Sequence, residues 1–172
     1  MIRDIMREKG IDAVIIAGSD PHSSEYPAER WKQVQWVCGF TGEAGDVVIT
    51  LDHAGLWTDT RYFIQAVEQL EGTGVELHKT RIPGEIRIPQ WLAEYAFEGD
   101  VRHVTVAVDG LAQTVDSVEN LKNAFRKAGR IEMGDGDNSF SIIDLPDMLE
   151  NVWIDRPSVP STEIYRLPDE VA

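Results

Sequence analysis

The sequence predicts an α/β fold, a three-layer α/β/α sandwich around a mixed sheet. Short runs of strand type recur at residues 12–17, 46–51, 75–79 and 104–108. Segments with helical apolar spacing alternate with them, which places helices on both faces of the sheet. One hairpin, at residues 46–58, interrupts that alternation and makes the sheet mixed.

Residues 2–9 are expected to form a helix with Ile2, Ile5 and Met6 on one side and Gly10 as its C-cap. The continuous apolar run at 12–17 suits a strand buried on both faces. A polar loop, 18–25, follows it. Pro27 is well placed at a first helical position, and a helix is expected from there to about Val37. Val34 and Val37 share its inner side, with Trp31 one turn earlier. The strand at 46–51 turns through Asp52-His53-Ala54-Gly55 and returns as far as Thr58. Asp59 or Thr60 then caps a helix carrying Phe63, Ile64, Val67 and Leu70 at helical spacing. Residues 75–79 alternate as a strand with one wetter face. Pro89 opens a short helix that ends near Gly99. After the strand at 104–108, Thr114 caps a helix to about Ala128, with Val115, Val118, Leu121 and Phe125 inward and Gly129 closing it. Residues 130–133 read as a last strand, and 141–153 as partly helical, broken near Pro146. Residues 1–155 are expected to be one domain. Pro157, Pro160 and Pro168 among polar residues mark 156–172 as a linker towards a following domain absent from this chain.

With 172 residues the chain is long enough to build a core without disulfides or metal. Thirty acidic against sixteen basic residues, a net charge of −14, oppose sequence-independent binding to nucleic acid, which needs clustered cations. The apolar runs are too short to span a bilayer, so no membrane contact is expected. The first residues mix charges with apolar side chains and lack the core of a signal peptide. A soluble, cytoplasmic protein is the expectation. Cys38 is the only cysteine, which excludes an intrachain disulfide and a multi-cysteine zinc site. It reads as a small half-buried hydrophobe.

Gly39-x-x-Gly42-x-x-Gly45 lacks the Lys-Ser/Thr of a phosphate loop and precedes a strand. Glu43 and Asp46 would repel phosphate. These glycines are better explained by tight turns and close backbone approach. Asp20, His22 and Glu25 form a small polar cluster after a buried strand, a position where open α/β sheets often bind ligands. A metal site there competes with an Asx turn at Asp20-Pro21, and the turn fits better. His53, His78 and His103 sit apart at turn or strand positions and receive no role. No nucleophile or zinc-protease constellation is present.

Asp59 and Arg61 are the stronger candidates. In the first turn of a helix, Arg61 would face the positive end of the helix dipole, so an anionic partner is expected. That partner is either internal, Asp59 or Glu68, or a ligand. One reading is an ion pair that fixes the corner between hairpin and helix. The other is that Arg61 reaches a peptide carboxylate or carbonyl, for which its planar fork is suited.

Several of these segments also carry a family likeness. Ser19-Asp20-Pro21-His22-Ser23-Ser24-Glu25-Tyr26, Gly39-Phe40-Thr41-Gly42, Trp57-Thr58-Asp59-Thr60-Arg61-Tyr62-Phe63 and Trp153-Ile154-Asp155-Arg156-Pro157 occur in one order through nearly the whole chain. In that order they resemble the amino-terminal domain of Xaa-Pro aminopeptidase (aminopeptidase P, creatinase family). The chain departs from that pattern at Thr60, where the family often has Gly, at Cys38, where it often has Ser, and at Val34, where a basic residue is common.

The resemblance implies a full-length metallopeptidase that removes the amino-terminal residue preceding proline. It implies two divalent metal ions, manganese being the expected species, held in a carboxy-terminal domain that no part of this chain matches. It therefore implies that this chain holds no catalytic residue, metal ligand or cofactor. The domain would shape the substrate cleft, with Arg61 binding substrate, and contribute to subunit contacts in a homo-oligomer. Two other classes stay open: a stand-alone small-molecule-binding α/β domain using the loop at 18–26, and an interaction module derived from the peptidase.

Overall fold

In chain order, the computed structural model has α1 at Ile2–Lys9, β1 at Ala13–Ile16, α2 at Gln33–Cys38, β2 at Gly45–Thr50 and β3 at Ala54–Thr58. It continues with α3 at Phe63–Leu70, β4 at Glu76–Lys79, α4 at Ile88–Glu94, β5 at His103–Val108, α5 at Val115–Lys127, β6 at Ile131–Glu132 and β7 at Ser139–Asp144. The structure describes residues 1–97, 103–132, 138–163 and 165–171.

The strands form one seven-stranded sheet in the order β4-β3-β2-β1-β5-β7-β6. Ile15 of β1 lies opposite Val48 in the antiparallel pairing with β2 and opposite Val108 in the parallel pairing with β5. β3 is antiparallel to β2 and parallel to β4, and β7 is parallel to both β5 and β6. β2 alone runs against the others, so the sheet is mixed as predicted. All of β1 is buried, as a strand covered on both faces must be.

Two apolar layers explain that burial. On one face, Met6 of α1, Val34 and Cys38 of α2, and Ala66 and Leu70 of α3 pack with Val14, Ile16 and Leu56. On the other, Leu92 of α4 and Leu121 and Phe125 of α5 pack with Ile15, Val106 and Phe140. Phe125 stacks on Phe140 with ring centroids 4.9 Å apart, and both are fully buried. Each such side chain contributes about 1.5–3 kcal/mol by leaving water.

Several elements depart from the sequence reading. The expected helix from Pro27 to Val37 is a turn of 3₁₀ helix, Glu29–Trp31, followed by α2, with a break at Lys32 (φ −77°, ψ 47°). The break lets Arg30 turn towards Glu150 (2.8 Å) and the Pro157 carbonyl (2.9 Å) while Val34 faces the sheet. Arg156 joins the same cluster, donating to Asp147 at 2.9 Å and Glu150 at 3.2 Å, with its side chain only 1% exposed.

α3 starts at Phe63 with Tyr62 as its N-cap, so neither Asp59 nor Thr60 caps it. Ile64 (80% exposed) and Val67 (59%) point outward, and Ala66 and Leu70 point inward. The row Tyr62, Ala66, Leu70 is the packed one, and its small alanine carries little weight in an apolar count. Val115 is exposed, being the first residue of α5, whereas Leu121 and Phe125 are buried as expected.

Residues 139–144 are strand, not helix, and β6 is not the last strand. Ile142 pairs opposite Val106, and this long-range ladder with β5 overrides the local helical spacing. The helical part expected at 141–153 shrinks to a 3₁₀ turn at Met148–Asn151. Cys38 is fully rather than half buried, and its thiol donates to the Val34 carbonyl at 3.2 Å. The expected helix end at Gly99 and strand end at Met133 fall outside the described residues.

Candidate functional site

β1, β3, β4 and β5 run in one direction, so their carboxyl ends share one end of the sheet. Crevices in open α/β sheets form there. A cleft of about 340 Å³ opens at this end, lined by Asp46, Trp57, Asp59, Thr80, Arg81 and Ser117 among others. Its floor is set by the end of β3. The Thr58 carbonyl accepts from the Thr80 N–H (2.9 Å) and hydroxyl (3.0 Å), which brings the end of β4 alongside. The Thr58 hydroxyl donates to the Ala44 carbonyl, and Trp57 Nε1 donates to the Ile86 carbonyl at 3.0 Å.

Past Thr58 the chain turns, closed by the Tyr62 N–H on the Asp59 carbonyl at 3.0 Å. In this turn the Asp59 carboxylate is buried and the Arg61 guanidinium is 59% exposed. Arg61 Nε donates to Asp59 Oδ1 at 3.0 Å and Nη2 donates to Oδ2 at 2.9 Å. The Arg61 backbone N–H adds a third bond to Oδ1 at 3.1 Å. Arg81 Nη1 stands 3.6 Å from Oδ2. Hydrogen bonding from the Arg61 side chain holds the Asp59 carboxyl below the usual carboxylate range. The guanidinium also lies over the Tyr62 ring, 5.1 Å from its centroid, and Tyr62 meets Phe40 edge-on.

The anion expected near Arg61 is therefore Asp59, and Arg61 sits just ahead of α3 rather than in its first turn. The fork uses Nε and Nη2. Nη1 has no hydrogen-bond partner among the described residues.

Asp46 sits beside this corner. Its Oδ1 accepts the Gly18 N–H at 2.9 Å, and burial pushes its carboxyl above the ordinary range. Gly18 is there because the chains nearly touch: a Cβ on it would lie 2.0 Å from the Gly45 carbonyl oxygen. Gly42 is wedged against the Phe40 ring, and Gly39 takes φ 79° to end α2. Close approach and turning account for the glycine motif, as the sequence suggested.

The polar loop is an Asx turn. Asp20 is buried and its Oδ1 accepts the N–H groups of His22 (3.0 Å) and Ser24 (2.9 Å). These bonds, the Ser24 N–H first, draw its carboxyl downward. Asp20 holds the backbone of His22, not its ring, and both His22 and Glu25 are exposed. Asp59 lies in a separate turn.

His53 and His78 do not sit apart. Parallel pairing of β3 and β4 brings them together, Nε2 to Nε2 at 3.4 Å, with Glu76 Oε2 3.8 Å from His53 Nδ1. Asp46 was read from the sequence only as a charge that would repel phosphate, and Arg81 and Thr80 were not singled out at all. The only signal for them was the adjacency of two strand ends, which requires knowing the strand order.

Among the described residues, His53, Glu76 and His78 are the one group of three metal-type donors with ligand atoms within 4.8 Å of one another. A dinuclear centre needs a larger set with bridging carboxylates, so these residues do not fit one. No helix among the described residues is long and apolar enough to cross a membrane.

Residues 1–143 match the family model of the Creatinase/Prolidase N-terminal domain. The chain is 35% identical over 172 residues to a probable Xaa-Pro aminopeptidase P of Metarhizium robertsii, covering 99% of this chain and 26% of that protein. Its fold is similar to that of an X-prolyl aminopeptidase from Caenorhabditis elegans, described as a cytosolic enzyme with a di-nuclear active site. The TM-score is 0.72 at 28% identity, over 87% of this chain and 22% of that one. It is also similar in fold to the N-terminal domain of the cytoplasmic peptidase PepQ from Mycobacterium tuberculosis, with TM-score 0.57 at 24% identity, over 88% of this chain and 94% of that one. The chain thus spans about a quarter of the length of the curated relative it matches.

Proposed function

The chain belongs to the creatinase/prolidase N-terminal domain family, and on that premise we propose that it is the non-catalytic domain that shapes the substrate cleft of an Xaa-Pro aminopeptidase. The enzyme carrying it removes the amino-terminal residue preceding proline, in the cytoplasm, with two divalent metal ions held outside this chain. Arg61 is the residue of this domain that binds the peptide. The observation that supports this reading is the Asp59–Arg61 fork. A buried carboxylate fixes two nitrogens of an exposed guanidinium, and Nη1 has no hydrogen-bond partner among the described residues, so the cation is aimed rather than consumed. Apolar side chains left outward on α3, Ile64 and Val67, supply surface for contacts with the rest of such an enzyme or with a second subunit.

The test is kinetic. In the enzyme carrying this domain, Arg61→Ala should lower kcat/KM for an Xaa-Pro peptide at temperatures where the variant is still folded. The isolated 172-residue chain should not hydrolyse that peptide with added Mn²⁺ or Co²⁺. Unchanged kinetics in Arg61→Ala would remove the substrate-binding role. Turnover by the purified chain, well above an Arg61→Ala control, would remove the non-catalytic one.

A further inference from the structure

We propose that His53, Glu76 and His78 form a binding site for one divalent transition-metal ion of the zinc type, at the edge of the sheet. The site joins two elements that are distant in sequence. His53 sits in the turn between β2 and β3. Glu76 and His78 lie on β4, the edge strand, two residues apart and so on the same face. Parallel pairing sets Gly55 opposite Glu76 and Trp57 opposite His78, which draws the turn and the strand together.

The spacing suits a metal better than the contact it now makes. Two imidazole nitrogens bound to tetrahedral zinc at about 2.0–2.1 Å stand roughly 3.3–3.4 Å apart. The two Nε2 atoms are 3.4 Å apart. As a hydrogen bond between imidazoles, that distance is longer than the usual range of about 2.7–3.2 Å. One ligand atom from each of the three residues lies within 4.8 Å of the other two, Glu76 Oε2 now stands 3.8 Å from His53 Nδ1, and the Glu76 side chain is 65% exposed and free to swing towards the two Nε2 atoms.

The imidazoles are held in place before any ion arrives. The His78 ring stacks on Trp57, centroids 3.8 Å apart and 3° from parallel. It fills the space over Gly55, where a Cβ would lie 2.8 Å from His78 Nε2. Trp91 walls the other side, 4.8 Å from the His53 centroid and 5.7 Å from that of His78. Such an apolar shell fixes ligand orientation and limits solvent. Two imidazoles and one carboxylate suit Zn²⁺, Co²⁺ or Ni²⁺ rather than Mg²⁺ or Ca²⁺, and they leave a fourth position for water.

The probes are Zn²⁺ by calorimetry and Co²⁺ by tryptophan fluorescence, on the full 172-residue chain. One equivalent of Zn²⁺ should bind. Co²⁺ should quench the emission of Trp57 and Trp91, and Zn²⁺ should reverse the quenching. His53→Ala and His78→Ala should each weaken binding about tenfold or more, and Glu76→Gln should weaken it by a smaller factor. His22→Ala and His103→Ala should leave it unchanged. Equal binding by wild type and the His53→Ala/His78→Ala double variant overturns the site. Should that variant fail to fold, Glu76→Gln decides, because Glu76 is exposed and its loss does not threaten the core. Unaltered affinity in Glu76→Gln overturns the three-ligand site.

Discussion

The Arg61 guanidinium meets the Asp59 carboxylate through two parallel bonds, Nε to Oδ1 at 3.0 Å and Nη2 to Oδ2 at 2.9 Å. One partner is buried and the other is largely in solvent. The pair therefore has an inner member that orients and an outer member that is presented, and each can be tested separately.

Arg61→Ala should reduce kcat/KM of the enzyme carrying this domain by roughly ten- to a hundredfold, the usual range for losing a charge-assisted hydrogen bond to substrate. Arg61→Lys should recover part of the loss, because an ammonium lacks the planar fork. Kinetics and thermal melts on both variants decide between roles. A lower melting temperature with normal kinetics would make the pair purely structural.

Asp59→Asn should lower the melting temperature at neutral pH by on the order of 2–4 °C, while keeping the shape of the turn. The Asp59 pKa is lower in the folded state than in the unfolded chain, where it is about 3.9. Its charge thus contributes stability that is present above that value and lost as pH falls through the folded pKa. Melts from pH 7 to pH 2 should show the wild-type advantage shrinking below about pH 4.

Asp46 should behave in the opposite sense. Desolvation raises its folded pKa, so its contribution is fully present below the unfolded pKa and is lost as pH rises through the folded one. Asp46→Asn keeps an oxygen to accept the Gly18 N–H and removes the charge. It should raise the melting temperature at pH 7 and have little effect near pH 3. A lower melting temperature at pH 7 would mean that the charged form is the one the fold prefers.

Gly18→Ala should cost about 1–3 kcal/mol, because its Cβ would run into backbone rather than a mobile side chain. Urea unfolding of the two proteins measures it. A variant as stable as wild type would show that β1 and the start of β2 can part without penalty.

Local pattern disclosed the helix Ile2–Lys9 with its glycine stop, the wholly buried β1, the hairpin and the Thr114 cap, because each depends on neighbouring residues alone. It failed at Ser139–Asp144, where pairing with β5 outweighs helical spacing, and at α3, where Ala66 packs and the larger Ile64 does not. Asp59 and Arg61 were legible because they are two residues apart and one partner needs the other. Arg81, His53 and His78 were not, since they enter their clusters only through the register of β3 on β4.

Strand order has a consequence for how the chain is born. β1 is made first but lies in the middle of the sheet, between β2 and β5. One of its edges is covered as soon as the hairpin emerges. The other must wait for Val106 and its neighbours, roughly 90 residues later. At about 5–20 residues per second, that edge stays bare for roughly 5–20 s on the ribosome. An apolar strand with free N–H and C=O groups is a template for other chains during that interval. The nascent domain is thus most vulnerable to aggregation and most in need of a chaperone before residue 108 is translated, and slowing synthesis within α4 should lower its soluble yield more than slowing it after β5.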